Sequence, residues 1–406
     1  MTRPPAAPTP ERLSVVHVAA YFPPDRIGGV GEVVAHVHQG LLARGHASRV
    51  LTSGTSSGST DVTRVASTPE RFVLACWRHA ERVRHADVVH VHHGEALGLL
   101  LAMRLRRIRT PVLLTLHVSA TRIRSAMQPF RVDGQTLGAA ADRTPRRSLE
   151  LASRQALDRL TLRLAREVCF ISRSSARDVL PPEEAERAVV VYNGLPPAAD
   201  DRAERVEPTE LLYVGTFSTR KRVMVLPFVL RHVRERRPGA RLRLVGFDPG
   251  EHPELLAVAD RLGVSEGLVF EGRKRSSDLP RYYRSSDVLL VPSAYEGLPM
   301  VMLEAFQQRL PCVATAVSGH PEVIEDGVSG FLVPLDDPRV MAARALVLLE
   351  DPGRRRRMGE EASRVVSERF SVSRQVEEYE GLYRKIATGG PGRARRPWHG
   401  VERRRW

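Results

Sequence analysis

Short apolar runs alternate with stretches of helical periodicity along this chain, and they do so in two successive halves. Leu13–Ala20, Arg49–Thr52, Asp87–His92 and Pro111–His117 in the first half read as strands, each followed by a helical pattern. Leu211–Val214, Leu242–Val245, Leu268–Phe270, Val288–Val291 and Pro311–Thr315 repeat the alternation in the second half. Such alternation constrains the chain to doubly wound α/β sheets, and 406 residues suit two of them. Asn193-Gly194-Leu195-Pro196-Pro197 breaks the first pattern, and a polar run to Pro208 follows. The expected division is an unstructured N-terminus (1–12), a first Rossmann-like domain (13–195), a linker (196–208) and a second Rossmann-like domain (209–370). A last helix (371–388) and a basic, disordered tail (389–406) complete it.

The net charge is +15 and the isoelectric point about 10.6, with Lys221, Lys274 and Lys385 the only lysines. That charge draws anions: nucleotides, acidic lipid or nucleic acid. No helix-turn-helix, zinc-finger or aromatic RNA-binding signature accompanies it, so nucleic acid is the weaker reading. Cys76, Cys169 and Cys312 are scattered and fit neither a disulfide framework nor a zinc site. The N-terminus lacks an apolar signal core, and no segment has the roughly 18–20 apolar residues of a membrane span. The expectation is a cytoplasmic protein, soluble or peripheral at the inner membrane face.

The stretch Leu289–Phe306 carries the chemistry. A buried strand is stopped by Pro292-Ser293; Glu296-Gly297-Leu298-Pro299 follows, then an apolar helical pattern containing Glu304. Pro299 suits a first helical position. The N–H groups and dipole of that first turn offer an anion site at the sheet edge. Glu304 is expected about two turns from Glu296, ~12 Å at 1.5 Å per residue. Two carboxylates so separated cannot serve one atom. They suit an extended ligand with phosphate in the middle and hydroxyls at each end, such as a nucleotide sugar.

Embedded in this way, Glu296 and Glu304 resemble the E-x7-E motif of the retaining glycosyltransferases of family 4. These enzymes have the GT-B fold, two Rossmann-like doubly wound α/β domains facing a central cleft. The resemblance covers roughly residues 13–388, is strongest in the second half, and implies that the last helix returns to the first domain. It implies transfer of a sugar from a nucleoside-diphosphate sugar with retention of anomeric configuration, Glu304 holding the donor ribose and Glu296 a sugar hydroxyl. The anion site is completed by Gly297, Leu298 and Pro299.

Further candidates lie outside this stretch. Gly28-Gly29 precedes a helix, where backbone can approach a ligand closely, and the resemblance places it near the donor phosphates. His117 ends an apolar strand, where α/β sheets bind ligands, and the resemblance brings it to the donor sugar. After Gly215 the family carries an arginine and, five residues later, a lysine facing the diphosphate. Here Thr216 stands at the first position and Lys221 at the second. Arg220 or Arg222 is expected to supply the missing charge, Arg220 being favoured, and Arg273 in the turn after Phe270 is a further candidate.

Ser318-Gly319-His320-Pro321-Glu322 departs modestly from the family's Gly-Gly-x-Pro-Glu turn. His90 and His92 share a strand face and His93 adjoins them, but no Cys or carboxylate completes a metal set, and no D-x-D pair occurs. A metal-independent enzyme without a cofactor is expected. Residues 118–148 are basic and weakly periodic; acceptor contacts, an interfacial membrane patch and a solvated insertion are the readings. The acceptor is open: a glycan, a lipid-linked sugar or a small molecule. The tail is read as solvated, with contact to anionic membrane the second choice. The alternatives to transfer are a GT-B sugar-nucleotide epimerase and a basic nucleic-acid-binding protein.

Overall fold

The structure is a computed structural model that describes residues 12–24, 29–56, 59–138, 145–198 and 209–389. Residues 1–11, Gly28, most of the expected linker (199–208) and the tail from 390 lie outside the described residues.

The first sheet contains β1 (Ser14–Val18), β2 (Ala47–Ser53), β3 (Val62–Ala66), β4 (Val88–His92) and β5 (Val112–Leu116). After a small antiparallel hairpin of β6 (Phe130–Val132) and β7 (Gln135–Leu137), β8 (Glu167–Phe170) and β9 (Val189–Val190) rejoin it. Its order is β3-β2-β1-β4-β5-β8-β9, and β1 to β5 pair in parallel. The second sheet contains β10 (Thr209–Val214), β11 (Leu242–Val245), β12 (Leu268–Gly272), β13 (Ser286–Val291), β14 (Cys312–Thr315) and β15 (Phe331–Val333). Its order β12-β11-β10-β13-β14-β15 is parallel throughout. Strands buried on both faces are apolar nearly end to end, which is why Leu211–Val214 and Val288–Val291 stand out in the sequence.

Within the second sheet β10 and β13 are neighbours, and the strand order reverses between them. The loops leaving those two strands diverge there, and open sheets bind ligands at such a point. The approach is close: a Cβ on Gly246 would lie 1.7 Å from the Gly215 carbonyl oxygen, so only glycine fits after β11.

Two compact units result. Within the described residues one comprises the chain up to Thr115, Leu157–Cys169 and the chain from Val376. The other comprises Leu116–Ala156 and Phe170–Gln375. Most of the last helix, Val372–Thr388, therefore belongs with the first unit, where Tyr383 Oη lies 2.7 Å from His90 Nδ1. Residues 116–156 group with the second unit instead of the expected first domain, and so do residues 170–195, although β9 among them pairs in the first sheet.

The reason for the first of these lies in residues 118–148, whose described part is no solvated insertion. Ala120–Ala126 is helical, and the hairpin that follows buries Phe130, Val132 and Leu137 among Tyr213, Phe217 and Phe228. Three such side chains contribute about 1.5–3 kcal/mol each. Their alternation spans too few residues to register as a pattern.

Other departures are local. The helical pattern between the second and fourth strands divides into an α-helix, Pro69–Ala75, and then a 3-10 helix, Cys76–Val83. Helix Pro352–Arg369, opened by the Asp351 side chain accepting from Arg354 N, was hidden by its arginine-rich start.

Candidate functional site

In the second unit β10 leads through Gly215 and the exposed Thr216 into a short 3-10 turn, Thr219–Lys221, capped by Ser218. Strand β13 ends at Val291, and Pro292–Pro299 leads into helix Met300–Gln307. The two loops are tied together, since Ala294 N donates to the Arg220 carbonyl at 2.8 Å.

Glu296 sits where they meet, 8% exposed. Lys221 Nζ donates to its Oε1, Arg220 Nη1 lies 3.3 Å from Oε2, and Ser293 Oγ donates to Oε1 at 3.1 Å. Arg220 Nη1 also donates to the Tyr295 carbonyl at 2.8 Å. Burial alone would push the Glu296 carboxyl up. The charges of Lys221 and Arg220 outweigh it and hold the carboxyl at about 2, so Glu296 is an anion. Burial draws the Lys221 pKa below its usual value, and Glu296 opposes that shift.

Arg222 is not the spare cation. Its Nε donates to Asp336 at 2.9 Å, its Nη1 donates to the carbonyls of Ala126 at 3.0 Å and Thr219 at 2.9 Å, and its guanidinium lies 3.9 Å from the Phe130 ring centre. These contacts hold a non-glycine residue at φ 53°, in the left-handed region. Arg222 pins the hairpin to its core, and Arg220 occupies the place beside Lys221. Thr216 accepts from Tyr213 Oη through its carbonyl at 2.9 Å. Arg273 is exposed beyond β12.

The helix begins at Met300, with Pro299 as the residue before it instead of the first helical one. Glu296 to Leu298 are not helical, so Glu304 stands little more than one turn into the helix. Its Oε2 accepts from Tyr283 Oη at 2.6 Å. The two glutamates thus differ in their nearest partners: ammonium and guanidinium for Glu296, a phenol for Glu304, whose charge Lys221 also feels. Gly297 packs closely, since a Cβ there would lie 2.1 Å from the His117 carbonyl oxygen. Leu298 is buried.

His117 lies just past the end of β5 and is 2% exposed. Burial, helped by the Arg154 charge, lowers its pKa to about 3, so the imidazole is neutral. His320 is fully buried and close enough to Glu296 to feel its charge. Its Nδ1 lies 2.6 Å from the Thr315 carbonyl oxygen, which assigns the proton to Nδ1 and the lone pair to Nε2. Glu322 of the same turn accepts from Arg173 N at 2.8 Å, Ser174 N at 2.7 Å and Tyr192 Oη at 2.9 Å. It thereby takes the first two N–H groups of helix Arg173–Val179, whose cap is Ser172.

Ser293, Tyr283 and His320 escaped sequence reasoning. Ser293 reads as a strand stop, Tyr283 falls in a short helical stretch with no local signal, and His320 reads only as a departure from the family's turn. Of the glycine pair, Gly29 is exposed and opens helix Gly29–Ala43, while Gly28 lies outside the described residues.

In the first unit the sheet corrects the histidine reading. His17 of β1 joins His90 and His92 of β4, their nearest ring nitrogens within 4.8 Å of one another. The third histidine was invisible in sequence because it comes from another strand. His90 is bonded at both nitrogens, Nδ1 to Tyr383 Oη and Nε2 to Thr115 Oγ1, each at 2.7 Å. No helix among the described residues is long and apolar enough to cross a membrane.

Residues 27–199 match the model of Glycosyltransferase Family 4, and residues 198–365 that of Glycosyl transferases group 1. The N-acetyl-alpha-D-glucosaminyl L-malate synthase of Bacillus anthracis is 33% identical over 174 residues, 43% of this chain and 44% of that protein. The D-inositol 3-phosphate glycosyltransferase of Kineococcus radiotolerans is 30% identical over 312 residues, 71% of this chain and 68% of that protein. The chain spans about half the length of the first curated relatives it matches. The Anabaena HepE protein, solved with UDP and glucose, superposes with a TM-score of 0.70 at 18% identity, covering 92% of this chain and all of that one. The fold is GT-B. With the two family models lying in succession along the chain and a 30% identical relative matched over two thirds of its length, the chain belongs to the family-4 glycosyltransferases.

Proposed function

We propose that the protein transfers a sugar from a nucleoside-diphosphate sugar to an acceptor hydroxyl, with retention at the anomeric carbon and without a metal. The bond from that carbon to the diphosphate oxygen breaks, and a bond to the acceptor oxygen forms on the same face. The acceptor proton leaves with the diphosphate.

One observation carries this reading. Two cations, Lys221 and Arg220, converge on one buried carboxylate, Glu296, where the order of the second sheet reverses. A diphosphate arriving there meets positive charge and the helix N-terminus at Met300 without reorganisation of the loops. Glu296 then orients a sugar hydroxyl. Glu304, fixed by Tyr283, accepts from the ribose diol. His117, neutral and buried, presents a polar group at the end of β5 for the transferred sugar. Thr216 and Arg273 are exposed and take lesser parts.

UDP is the first base to test, since the Anabaena neighbour was solved with it. A thermal-shift panel of UDP, GDP and ADP, extended to sugar nucleotides, should show one base raising the melting temperature. Acceptor-dependent release of that diphosphate follows, and the proton coupling of the product's anomeric centre reads retention. Interconversion of sugar nucleotides without an acceptor would favour epimerisation. Stabilisation by duplex DNA and by no nucleotide would remove the enzyme reading.

A further inference from the structure

On the surface of the first unit two packed elements carry apolar side chains outward. Helix Pro69–Ala75 and the 3-10 helix after it present Leu74, 79% exposed, and Trp77, 37% exposed. Helix Leu97–Leu105 presents Leu101, 43% exposed, and Leu105, 71% exposed. The elements run side by side. At one end a Cβ on Gly98 would lie 2.0 Å from the Val73 carbonyl oxygen and 3.9 Å from Leu74 Cα. At the other, Arg106 Nη1 is 3.8 Å from Glu81 Oε1. Leu101 and Leu105 lie three and seven residues beyond Gly98, on its face of the helix, so they line up with Leu74 and Trp77. The core is filled by Leu99, Leu100, Ala102 and Met103, so the two outer leucines do no work there.

Positive charge adjoins this apolar strip. Within this unit the sequence has no Asp or Glu from Ala96 to Thr115, yet it has four arginines there, Arg104, Arg106, Arg107 and Arg109. A cavity of about 240 Å³ lies beside the helix; Leu100, Met103 and Ile108 are among its apolar lining residues, and Arg104, Arg109 and Arg163 line it too. Arg104, which lines the cavity, stands three residues beyond Leu101, a neighbouring position on the helix surface, so the cavity's edge adjoins the strip.

We infer that this face docks the protein onto a bilayer containing anionic lipid. The four apolar side chains enter the boundary between headgroups and acyl chains, where a tryptophan is well placed. The arginines meet lipid phosphates, and the cavity seats one headgroup. A second copy of the chain fits less well, because Arg104, Arg107 and Arg109 would face their own copies across a twofold axis. The surface shares no residue with the Lys221–Glu296 constellation, so its failure would leave that reading untouched.

The test is co-sedimentation of the full chain with vesicles of phosphatidylcholine, with and without phosphatidylglycerol, at low and high salt. Expected is binding at least about tenfold stronger with phosphatidylglycerol, weakening with salt as screening shortens the reach of the arginines. Leu74→Ser with Leu105→Ser should lower the bound fraction about tenfold or more at unchanged melting temperature, since two buried side chains are lost. Arg104→Gln with Arg109→Gln should remove most of the preference for phosphatidylglycerol. Equal binding to both vesicles, no binding to either, or leucine variants that bind like wild type would overturn the inference. So would light scattering that shows a dimer lost in the leucine variants, which would assign the strip to a second copy.

Discussion

The two sheets treat buried ionisable groups in opposite ways. In the first, His17, His90 and His92 lie inside the strands, and burial draws His17 down to about 3, so that it is neutral. In the second, Lys221 and Glu296 lie beyond the strand ends and are charged partners. Burial alone therefore does not mark a site. What marks it is opposite charge held together at strand ends, where a ligand can replace one partner. Inside a strand, the same types of residue serve packing and hydrogen bonding.

The contrast can be broken most severely at Lys221. Lys221→Ala should lower transfer by roughly 10²–10³-fold, the usual loss of one preorganised charge contact. Steady-state kinetics with a matched donor measures it. Near-normal turnover would mean that this pair is as inert as the histidines.

Arg222→Ala should instead cost stability, about 3 kcal/mol for a mostly buried pair broken on one side. Transfer per folded molecule should stay close to wild type. A variant that melts normally but transfers poorly would return Arg222 to the donor site.

Glu304→Ala should weaken binding of the free nucleoside diphosphate by ~1.5–3 kcal/mol, the worth of a hydrogen bond to a charged group. Calorimetric titration reads it, and equal affinities would remove the ribose role. Tyr283→Phe should give a smaller loss of the same kind.

The neutrality of His17 is tested by pH. His17 has a folded pKa near 3 against an ordinary 6.5, so below 6.5 the unfolded chain takes the proton first. Its contribution is complete above 6.5 and is lost as pH falls toward 3. Glu296 is also depressed, but from 4.5 to about 2, so its contribution begins to fall only below 4.5. Between pH 6.5 and 5 the slope of stability reports histidines. His17→Leu should reduce that slope by about 1.4 kcal/mol per pH unit, one proton's worth. An unchanged slope would show that His17 is protonated in the folded protein.

The smallest expected effect is that of chelation. Transfer in excess EDTA should equal transfer without it. Activity lost to chelator and restored by a divalent ion would turn the His17, His90 and His92 cluster, or another group, into a metal site.

The strands of both halves were legible because buried parallel strands are apolar nearly end to end. Glu296, Glu304 and Lys221 were legible as residues because Pro292-Ser293, Gly297 and Pro299 punctuate the chain around them. Their partners were not. Arg222 and Arg220 are near neighbours in a basic run, and nothing local says which one faces Glu296. Only the packing of a hairpin from residues 130–137 commits Arg222 to Asp336 and the Phe130 ring.

By itself the sequence determined the periodicities, and with them two parallel sheets and the carboxylates and cations at their edges. Those properties depend on neighbours a few residues apart. Only the tertiary structure decided that Tyr283 holds Glu304, that His17 completes a histidine trio, and that the hairpin belongs to the second core. Each joins residues distant in the chain, and such contacts form where burial brings strands and loops together, at separations that no local pattern encodes.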